Sequence, residues 1–309
     1  MIIPKQYLIT PQNTIRLYPI MNQYIDYFLN YLQTEKDAAN TIIHKYRADL
    51  ERLFEYLQVT DINEINQNHL RDYLNYIRQT YNYTSSSIAN KINILHHFFR
   101  FLHASGYINS NPAILIRSPR KKVKIPKVLN EIELEKLLKA TDHNSDTRFK
   151  KYSLRDKLIF TMFAYTGLRR TELINLNWND INLGNKYLIV KKSKNKNQRI
   201  IPLHDKVIEL LDLYLTERLP LKNNALFIGN TENRIHHNSL KNLFDRYIKI
   251  AGLSGKGYTT HTLRHTYAER LRRKGIDLPT ISKLQGHSRL DTTDIYLHVN
   301  KDDFKMAVL

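Results

Sequence analysis

The residues of this sequence that could do chemistry are cationic, imidazole and phenol side chains in its second half. They follow in the order Arg169, His261, Arg264, His287 and Tyr296. Phosphoryl transfer needs a nucleophile, positive charge to stabilise the pentacoordinate phosphorane, and an acid for the leaving oxygen. Many nucleases meet these needs with Mg²⁺ held by clustered carboxylates, but no compact Asp/Glu cluster stands out here. We therefore expect protein cations to take the place of a metal.

Arg169 lies in the segment TGLRRTEL, residues 166–173. Glu172 stands one helical turn from Arg169 and could hold its guanidinium in place through a charge-assisted hydrogen bond. An Arg/Glu pair considered alone is more often an ordinary helical ion pair. The pair gains meaning only from the groups that follow it in the chain.

His261, Arg264 and His265 stand at positions i, i+3 and i+4 and therefore share one face of a predicted helix. Thr259 or Thr260 is a suitable N-cap, so this face lies near a helix N-terminus, which favours anions. The competing interpretation is a His-x-x-x-His zinc site. The sequence has no Glu at the second position and no evident third ligand, which disfavours zinc.

His287 follows Gly286 at a predicted helix exit, and Tyr296 comes nine residues later. With 20 tyrosines in the chain, one tyrosine carries no information alone. Its ordinary role would be a half-buried aromatic on an amphipathic helix. The order of the four elements, and not any one of them, carries the functional prediction.

The elements that must position these groups fall into two halves. Before residue 110, apolar residues recur at helical spacing and predict about four helices and no strand. Asp61 and Asn66 stand where N-caps would precede helices, and Gly106 is a helix stop. We predict an irregular extension for residues 1–20, which contain three prolines. We predict a linker at 118–126, where prolines and a basic run follow the first half.

The second half predicts helices around one small sheet. Asn130 should cap a helix to about Lys139, and Tyr152–Tyr165 is apolar enough for a buried helix. A turn at Gly184-Asn185 is followed by a hairpin of two short strands, at Tyr187–Lys192 and Arg199–Leu203. Further helices are predicted near 205–218, 237–251, 260–274, 278–285 and 291–298. We therefore predict a mainly α protein with a small β-sheet.

The composition indicates a polyanionic partner. Lys and Arg number 48 against 29 Asp and Glu, a net charge of +19. Such an excess favours nucleic acid first and an anionic membrane surface second, although it can also reflect solubility alone. The absence of cysteine excludes disulfides, Fe–S clusters and Cys-ligated zinc. No stretch approaches the ~18–20 apolar residues that span a bilayer, so we expect a cytoplasmic protein.

In this order the motifs resemble the tyrosine recombinase (phage integrase) superfamily, and most closely its Xer-like bacterial members. The family pattern is Arg, Lys, His-x-x-Arg, His or Trp, then Tyr. This sequence supplies TGLR ending at Arg169, a lysine on the hairpin, His261-x-x-Arg264, Gly286-His287 and Tyr296. The resemblance runs from about residue 21 to the end and includes 40–57 and Ser118-Pro119.

The resemblance implies a C-shaped DNA clamp with two domains. An all-helical, SAM-like core-binding domain would span 21–117 and an α+β catalytic domain 127–309, with the extension 1–20 and the linker 118–126 outside them. It also implies that Tyr296 attacks the scissile phosphorus and forms a 3′-phosphotyrosyl link with a free 5′-hydroxyl. Because the bond energy is stored in that link, rejoining would need no ATP. Protein cations would replace a metal, and no other cofactor is expected.

Further roles follow from the resemblance. The non-bridging oxygens would be bound by Arg169, Arg264 and His287; Lys194 would protonate the leaving oxygen, His261 would assist proton transfer, and Glu172 and His265 would support them. Contacts with DNA are expected from Arg47, Arg120, Lys121, Lys122, Lys192 and Lys196.

The chain departs from the family in its hairpin, which reads SKNKNQR where the family usually has GKGxKxR. Counting back from Pro202 selects Lys194, but strand alternation keeps Lys192 and Lys196 as competitors. Residues 141–152 also form a longer polar insertion than the family has.

The resemblance implies double-stranded DNA with paired recombination sites as the partner, and a tetramer as the assembly on two DNA sites. It also allows an accessory or partner recombinase. We expect no membrane partner and a nucleoid-associated location. Two alternatives are a type IB topoisomerase and a catalytically inactive DNA-binding regulator on the same scaffold. The intact set of catalytic residue types argues against the regulator.

Overall fold

The computed structural model describes residues 11–119, 126–142, 152–191 and 198–286, with side chains from residue 21 onward. The chain divides into two compact units, Met1–Lys124 and Ile125–Leu309. The predicted helix near 291–298, the tip of the hairpin and most of the insertion 141–152 lie outside the described residues.

The described part of the first unit contains helices and no strand, as predicted. Its helices are α1 (Pro11–Thr34), α2 (Asn40–Leu57), α3 (Gln67–Thr80) and α4 (Ser85–Ala104), with a 3₁₀ turn at Ile62–Glu64. Aromatic and aliphatic side chains at helical spacing form one core, in which Phe28, Leu50, Leu53, Phe98 and Phe99 are almost fully buried.

The predicted helix boundaries of this unit are confirmed by their caps. The Asp61 carboxylate accepts a hydrogen bond from the Asn63 backbone N–H at 2.9 Å. Asn66 accepts from the backbone N–H groups of Asn68 and His69 at 2.9 and 3.2 Å, which satisfies donors that a helix N-terminus leaves unpaired. Helix α4 ends at Ala104, and Gly106 follows with a φ of +75°.

The irregular extension predicted for residues 1–20 is wrong for residues 11–20, whose backbone belongs to α1. Pro11 is the first residue of that helix, where its missing N–H costs nothing because the first N–H groups have no helical partner. Pro19 lies inside the helix and removes one backbone hydrogen bond. The apolar face that follows, from Met21 to Leu32, is buried in the core and stabilises the helix as a whole.

The second unit packs its helices around one buried helix. Its elements are α5 (Glu131–Ala140), α6 (Ser153–Thr166), α7 (Arg170–Asn175), a 3₁₀ turn at Trp178–Asp180, α8 (Asp205–Arg218), α9 (His237–Ile250), α10 (Thr260–Arg273) and α11 (Leu278–Gln285). Helix α6 is buried on every side from Leu158 to Thr166 and packs against α8 and α10. Its apolar sequence without a polar face predicts this position. No described helix of either unit is long and apolar enough to cross a membrane.

A three-stranded antiparallel sheet completes the second unit. Strands β1 (Ile181–Asn182), β2 (Tyr187–Val190) and β3 (Arg199–Pro202) lie in the order β1-β2-β3. The predicted hairpin is confirmed, with Tyr187 opposite Pro202 and Val190 opposite Arg199. Strand β1 was not predicted, because two residues are too short to show a period. The end of β3 that carries Arg199 contacts α11.

Candidate active site

Five segments of the second unit meet at a cluster of arginines. The loop between α6 and α7 brings Arg169, the start of β3 brings Arg199, and α10 brings Arg264. Helix α7 contributes Glu172, and the end of α11 contributes backbone carbonyls. Segments that are up to 117 residues apart in the sequence therefore meet here, with three guanidiniums around one carboxylate.

Glu172 is the centre of this cluster. Its carboxylate accepts hydrogen bonds from Arg169 Nη1 at 2.8 Å and from the Arg169 backbone N–H at 2.8 Å. Arg199 donates through Nη1 to Oε1 at 2.9 Å and through Nη2 to Oε2 at 2.7 Å, a bidentate pair. Arg264 Nη1 lies 4.0 Å from Oε2. The contact predicted between Glu172 and Arg169 is thus present, and a second arginine holds the same carboxylate.

These contacts keep Glu172 ionised. Burial by itself raises the pKa of this carboxyl, but the hydrogen bonds and charge of Arg199, followed by those of Arg169, outweigh burial and lower the pKa to about 2. With three guanidiniums and one carboxylate, the cluster carries a net charge of +2 at neutral pH.

Arg264 is held by backbone carbonyls. Its Nη1 donates to Gly167 O at 2.7 Å and its Nη2 to Gln285 O at 2.5 Å, while the Gln285 side chain donates back to Arg264 O at 2.9 Å. Burial and the charge of Arg169 lower the pKa of Arg264 to about 10, against the opposing effect of Glu172. Arg264 therefore stays a cation at neutral pH in a fixed orientation.

Two glycines end the helices that supply these carbonyls. Gly167 follows α6 with a φ of +60°, and a Cβ there would lie 2.3 Å from Tyr267 Cδ1. Gly286 follows α11 with a φ of +64°, and a Cβ there would lie 2.8 Å from Arg199 Nη1. Glycine suits both the left-handed backbone and the close approach. Arg169 Nη2 donates to Gly286 O at 2.9 Å, so both helix ends bind the arginines.

His261 and His265 lie on the exposed side of α10, beside the buried Arg264. The predicted N-cap is confirmed at Thr259, whose backbone N–H donates to Thr262 Oγ1 at 3.0 Å. Partial burial and then the charges of Arg170, Arg264 and Arg169 lower the pKa of His261 below its ordinary value. Burial, His261 and Arg264 likewise lower the pKa of His265. Both imidazoles are therefore neutral at physiological pH, and His261 can accept a proton.

Of the other predicted site residues, only Arg47 belongs to the part of the chain that the structure describes. In the first unit Arg47 forms an ion pair with Asp26 at 2.7 Å, with 39% of its side chain exposed. Predicted residues outside the described ranges are Arg120, Lys121, Lys122, Lys192, Lys194, Lys196, His287 and Tyr296. Their roles stay predictions, as does the role of Arg47 in DNA binding. Among the described residues, no three His, Asp or Glu side chains form a group that could hold a metal ion.

Sequence reasoning missed Arg199 and Gln285 as parts of this cluster. Arg199 belongs to the hairpin motif, where an arginine beside a lysine-rich loop suggests an exposed contact with DNA. Only 6% of its side chain is exposed, because β3 packs against the end of α11. The sequence does contain one signal for this burial: Arg199 is the first residue of an apolar strand. A buried cation without a partner would be costly there, which indicates a buried counter-charge.

Comparison with known proteins gives the family of the chain. Residues 127–303 match the phage integrase family, and residues 25–106 match the phage integrase N-terminal SAM-like domain. The tyrosine recombinase XerC of Thermodesulfovibrio yellowstonii is 32% identical over 285 residues, which cover 90% of this chain and 92% of that protein.

Two solved structures share the fold. The XerH site-specific recombinase bound to its difH substrate has a TM-score of 0.71 at 24% identity, covering 96% of this chain and 97% of the other. A lambda integrase tetramer bound to a Holliday junction has a TM-score of 0.68 at 22% identity, covering 94% and 86%.

The chain belongs to the phage integrase family of tyrosine recombinases. The predicted fold class, a mainly α protein with one small antiparallel sheet, is confirmed, and so is the prediction of an enzyme of this family.

Proposed function

We propose that this chain is a site-specific recombinase that cleaves and rejoins DNA through a 3′-phosphotyrosyl intermediate at Tyr296. The observation that carries the proposal is the arginine cluster, in which Arg169 and Arg264 are held with a net positive charge of +2. The cluster lies at the end of α11, after which the chain continues to His287 and Tyr296. Family membership supports the same assignment.

The proposed chemistry assigns one task to each group. The Tyr296 oxygen forms a bond to phosphorus, the 5′-oxygen leaves with its electron pair, and Lys194 supplies the proton that this oxygen takes up. The neutral His261 imidazole accepts or relays the tyrosine proton. Guanidiniums bind the equatorial oxygens of the phosphorane with a charge that is already in place, so little reorganisation is needed during the reaction.

Protein cations supply the positive charge in this proposal, and neither a divalent metal nor ATP takes part. The phosphotyrosyl link keeps the energy of the broken phosphodiester, so the free 5′-hydroxyl of a partner strand can reverse the step. We propose double-stranded DNA with paired sites as the substrate and a tetramer on two sites as the active assembly. The tetrameric state of the lambda integrase structure supports this assembly.

We propose that residues 21–117 form the core-binding domain, 118–126 the linker and 127–309 the catalytic domain. The division of the chain at Lys124 and the two matched family segments support this arrangement. In the first domain Arg47 would exchange its contact with Asp26 for a DNA phosphate.

The test is a covalent-adduct assay on a duplex recovered by selection from a random-sequence library. The wild-type chain is expected to form an adduct that resists denaturing electrophoresis, in the presence of EDTA as well as in its absence. Tyr296→Phe should keep its DNA affinity and form no adduct, since only the attacking oxygen is lost. Tyr187→Phe is the matched control, because it removes a single hydrogen bond from Asn182 at 3.2 Å.

An adduct that persists in Tyr296→Phe would place the nucleophile elsewhere, and a strict need for a divalent metal would overturn the proposed charge stabilisation. Relaxation of supercoiled DNA without any two-site product would indicate a topoisomerase instead. DNA binding without an adduct from the wild-type chain would indicate a regulator.

A further inference from the structure

Arg199 is the one arginine of the cluster that the proposed chemistry does not use. Building on the proposed function, we infer that Arg199 is a positioning residue for the cleavage step and acts through Glu172 on Arg169. It would not touch DNA or the reacting atoms itself.

The first argument is that the polar atoms of Arg199 are already occupied. Its Nε donates to Leu284 O at 2.7 Å, and its Nη1 and Nη2 donate to the two oxygens of Glu172 at 2.9 and 2.7 Å. Only 6% of the side chain is exposed, compared with 33% for Arg169. All three guanidinium nitrogens of Arg199 are thus engaged, and two of them are paired with a carboxylate. Binding of a phosphate suits Arg169, which is more exposed, and Arg264, which is held by neutral carbonyls, better than it suits Arg199.

The second argument is electrostatic. Without Arg199 the buried carboxylate of Glu172 would have Arg169 as its nearest cation, and the net charge of the cluster would fall from +2 to +1. Arg169 already donates to Glu172 at 2.8 Å and would then neutralise that carboxylate without Arg199, so it would have less positive charge to offer a phosphorane. With Arg199 present, two arginines share the carboxylate, and Arg169 keeps its second contact, from Nη2 to Gly286 O at 2.9 Å.

The third argument is geometric. Arg199 ties the start of β3 to the end of α11 and to α7, through Leu284 and Glu172. Its guanidinium also packs closely against Gly286, because a Cβ on that residue would lie only 2.8 Å from Arg199 Nη1. A planar group with donors on three nitrogens can make these contacts together, whereas a lysine ammonium cannot span them.

The experiment compares Arg199→Met and Arg199→Lys with wild type in single-turnover cleavage, measured as the rate of adduct formation at saturating protein. We expect Arg199→Met to slow cleavage by roughly 10- to 100-fold, comparable to loss of a stabilising donor, with single-site DNA affinity changed by less than ~3-fold. Arg199→Lys should be intermediate, because it keeps the charge but not the planar geometry.

A double variant separates positioning from simple support of the fold. Glu172→Gln combined with Arg199→Met removes both charges, returns the cluster to +2 and leaves an amide oxygen that can still accept from Arg169. This protein should cleave about 10-fold faster than Arg199→Met alone. Arg234→Met is the control for structural support. Arg234 donates to Ile174 O and Leu176 O at 2.7 and 2.8 Å, so its loss should lower stability but leave the cleavage rate of the folded protein near that of wild type.

A second substrate tests the route of the effect. Replacing the 5′-bridging oxygen of the scissile phosphate with sulfur creates a leaving group that needs no proton. Because Arg199 acts on the phosphate-binding Arg169, Arg199→Met should be slow on both substrates. A rate restored by sulfur would mean that Arg199 acts on the hairpin lysine, and would overturn the inference.

The inference also fails if the double variant is as slow as Arg199→Met, or if Arg199→Met cleaves like wild type. Absence of any adduct from the wild-type chain would instead contradict the proposed function, so the two failures are distinguishable.

Discussion

The carboxylate of Glu172 allows a quantitative prediction for the stability of the second unit. Glu172→Gln keeps the size and shape of the side chain but removes the charge that Arg199 and Arg169 share. At neutral pH we expect this change to destabilise the unit, because two guanidiniums, with 6% and 33% of their side chains exposed, lose their counter-charge.

The size of the effect follows from the pKa of the Glu172 carboxyl, which is lowered from 4.5 to about 2 in the folded state. This difference corresponds to roughly 3 kcal/mol of unfolding free energy. The folded-state pKa is the lower one, so the contribution is fully present above pH ~4.5 and is lost as the pH falls towards about 2. The free-energy difference between wild type and Glu172→Gln should therefore shrink from roughly 3 kcal/mol at pH 6 to near zero at about pH 2.

Trp178 provides the assay, since it is the single tryptophan of the chain and lies buried in the core of the second unit. Its fluorescence in urea titrations at several pH values reports the unfolding of this unit. Glu269→Gln is the control, because the pKa of Glu269 is also about 2 but its partners Arg272 and Arg273 are 59% exposed. Solvent screens that group, so its loss should matter far less. A Glu172→Gln deficit that stays constant between pH 6 and pH 3 would refute the electrostatic explanation and indicate a packing effect.

Two further predictions concern a helix end and the DNA. Gly167→Ala should destabilise the second unit by roughly 2–4 kcal/mol, because a Cβ would meet Tyr267 at 2.3 Å in a left-handed backbone. Gly252→Ala, where φ is +69° but nothing lies within 4 Å, should cost only about 1 kcal/mol; equal losses in Trp178 fluorescence titrations would contradict the steric argument. DNA affinity should fall steeply between ~50 and ~200 mM salt, because a chain of net charge +19 releases counterions when it binds DNA. A filter-binding titration measures this dependence. An affinity independent of salt would exclude extensive phosphate contacts.

Local chemistry explains what could be predicted from the sequence. The caps at Asp61, Asn66 and Asn130 depend on hydrogen bonds to the next few residues, so the sequence contains all the information that places them. The contact between Arg169 and Glu172 likewise spans three residues. The order of the catalytic motif could be recognised because each part is short and has a fixed residue type.

Tertiary contacts explain what could not be predicted. The ion pair of Glu172 with Arg199 joins residues 27 positions apart, and the contact of Arg199 with Leu284 spans 85 positions. The local hint, an arginine at the end of an apolar strand, does not identify its partners, since Glu172 and Leu284 come from distant segments. The start of α1 was missed for a related reason. Prolines weigh against a helix locally, whereas the burial that stabilises α1 comes from its packing against α2 and α4.

The way the arginines are held bears on the pH dependence of the reaction. Arg264 and Arg169 donate to carbonyls at the ends of α6 and α11, where helices leave acceptors unpaired and carry partial negative charge. Carbonyls do not titrate in water, so these contacts persist at any pH at which the unit is folded.

Glu172 is then the one carboxylate among these contacts, and its pKa of about 2 keeps it ionised throughout the physiological range. Arg264, with a pKa of about 10, also keeps its charge there. The charge of +2 that the cluster would offer a phosphorane in the proposed reaction is therefore constant between roughly pH 4 and pH 9. We therefore expect a change in cleavage rate over that interval to come from groups outside this charge balance. Among the described residues of the site we expect it from His261, whose lowered pKa makes it lose its proton below neutral pH.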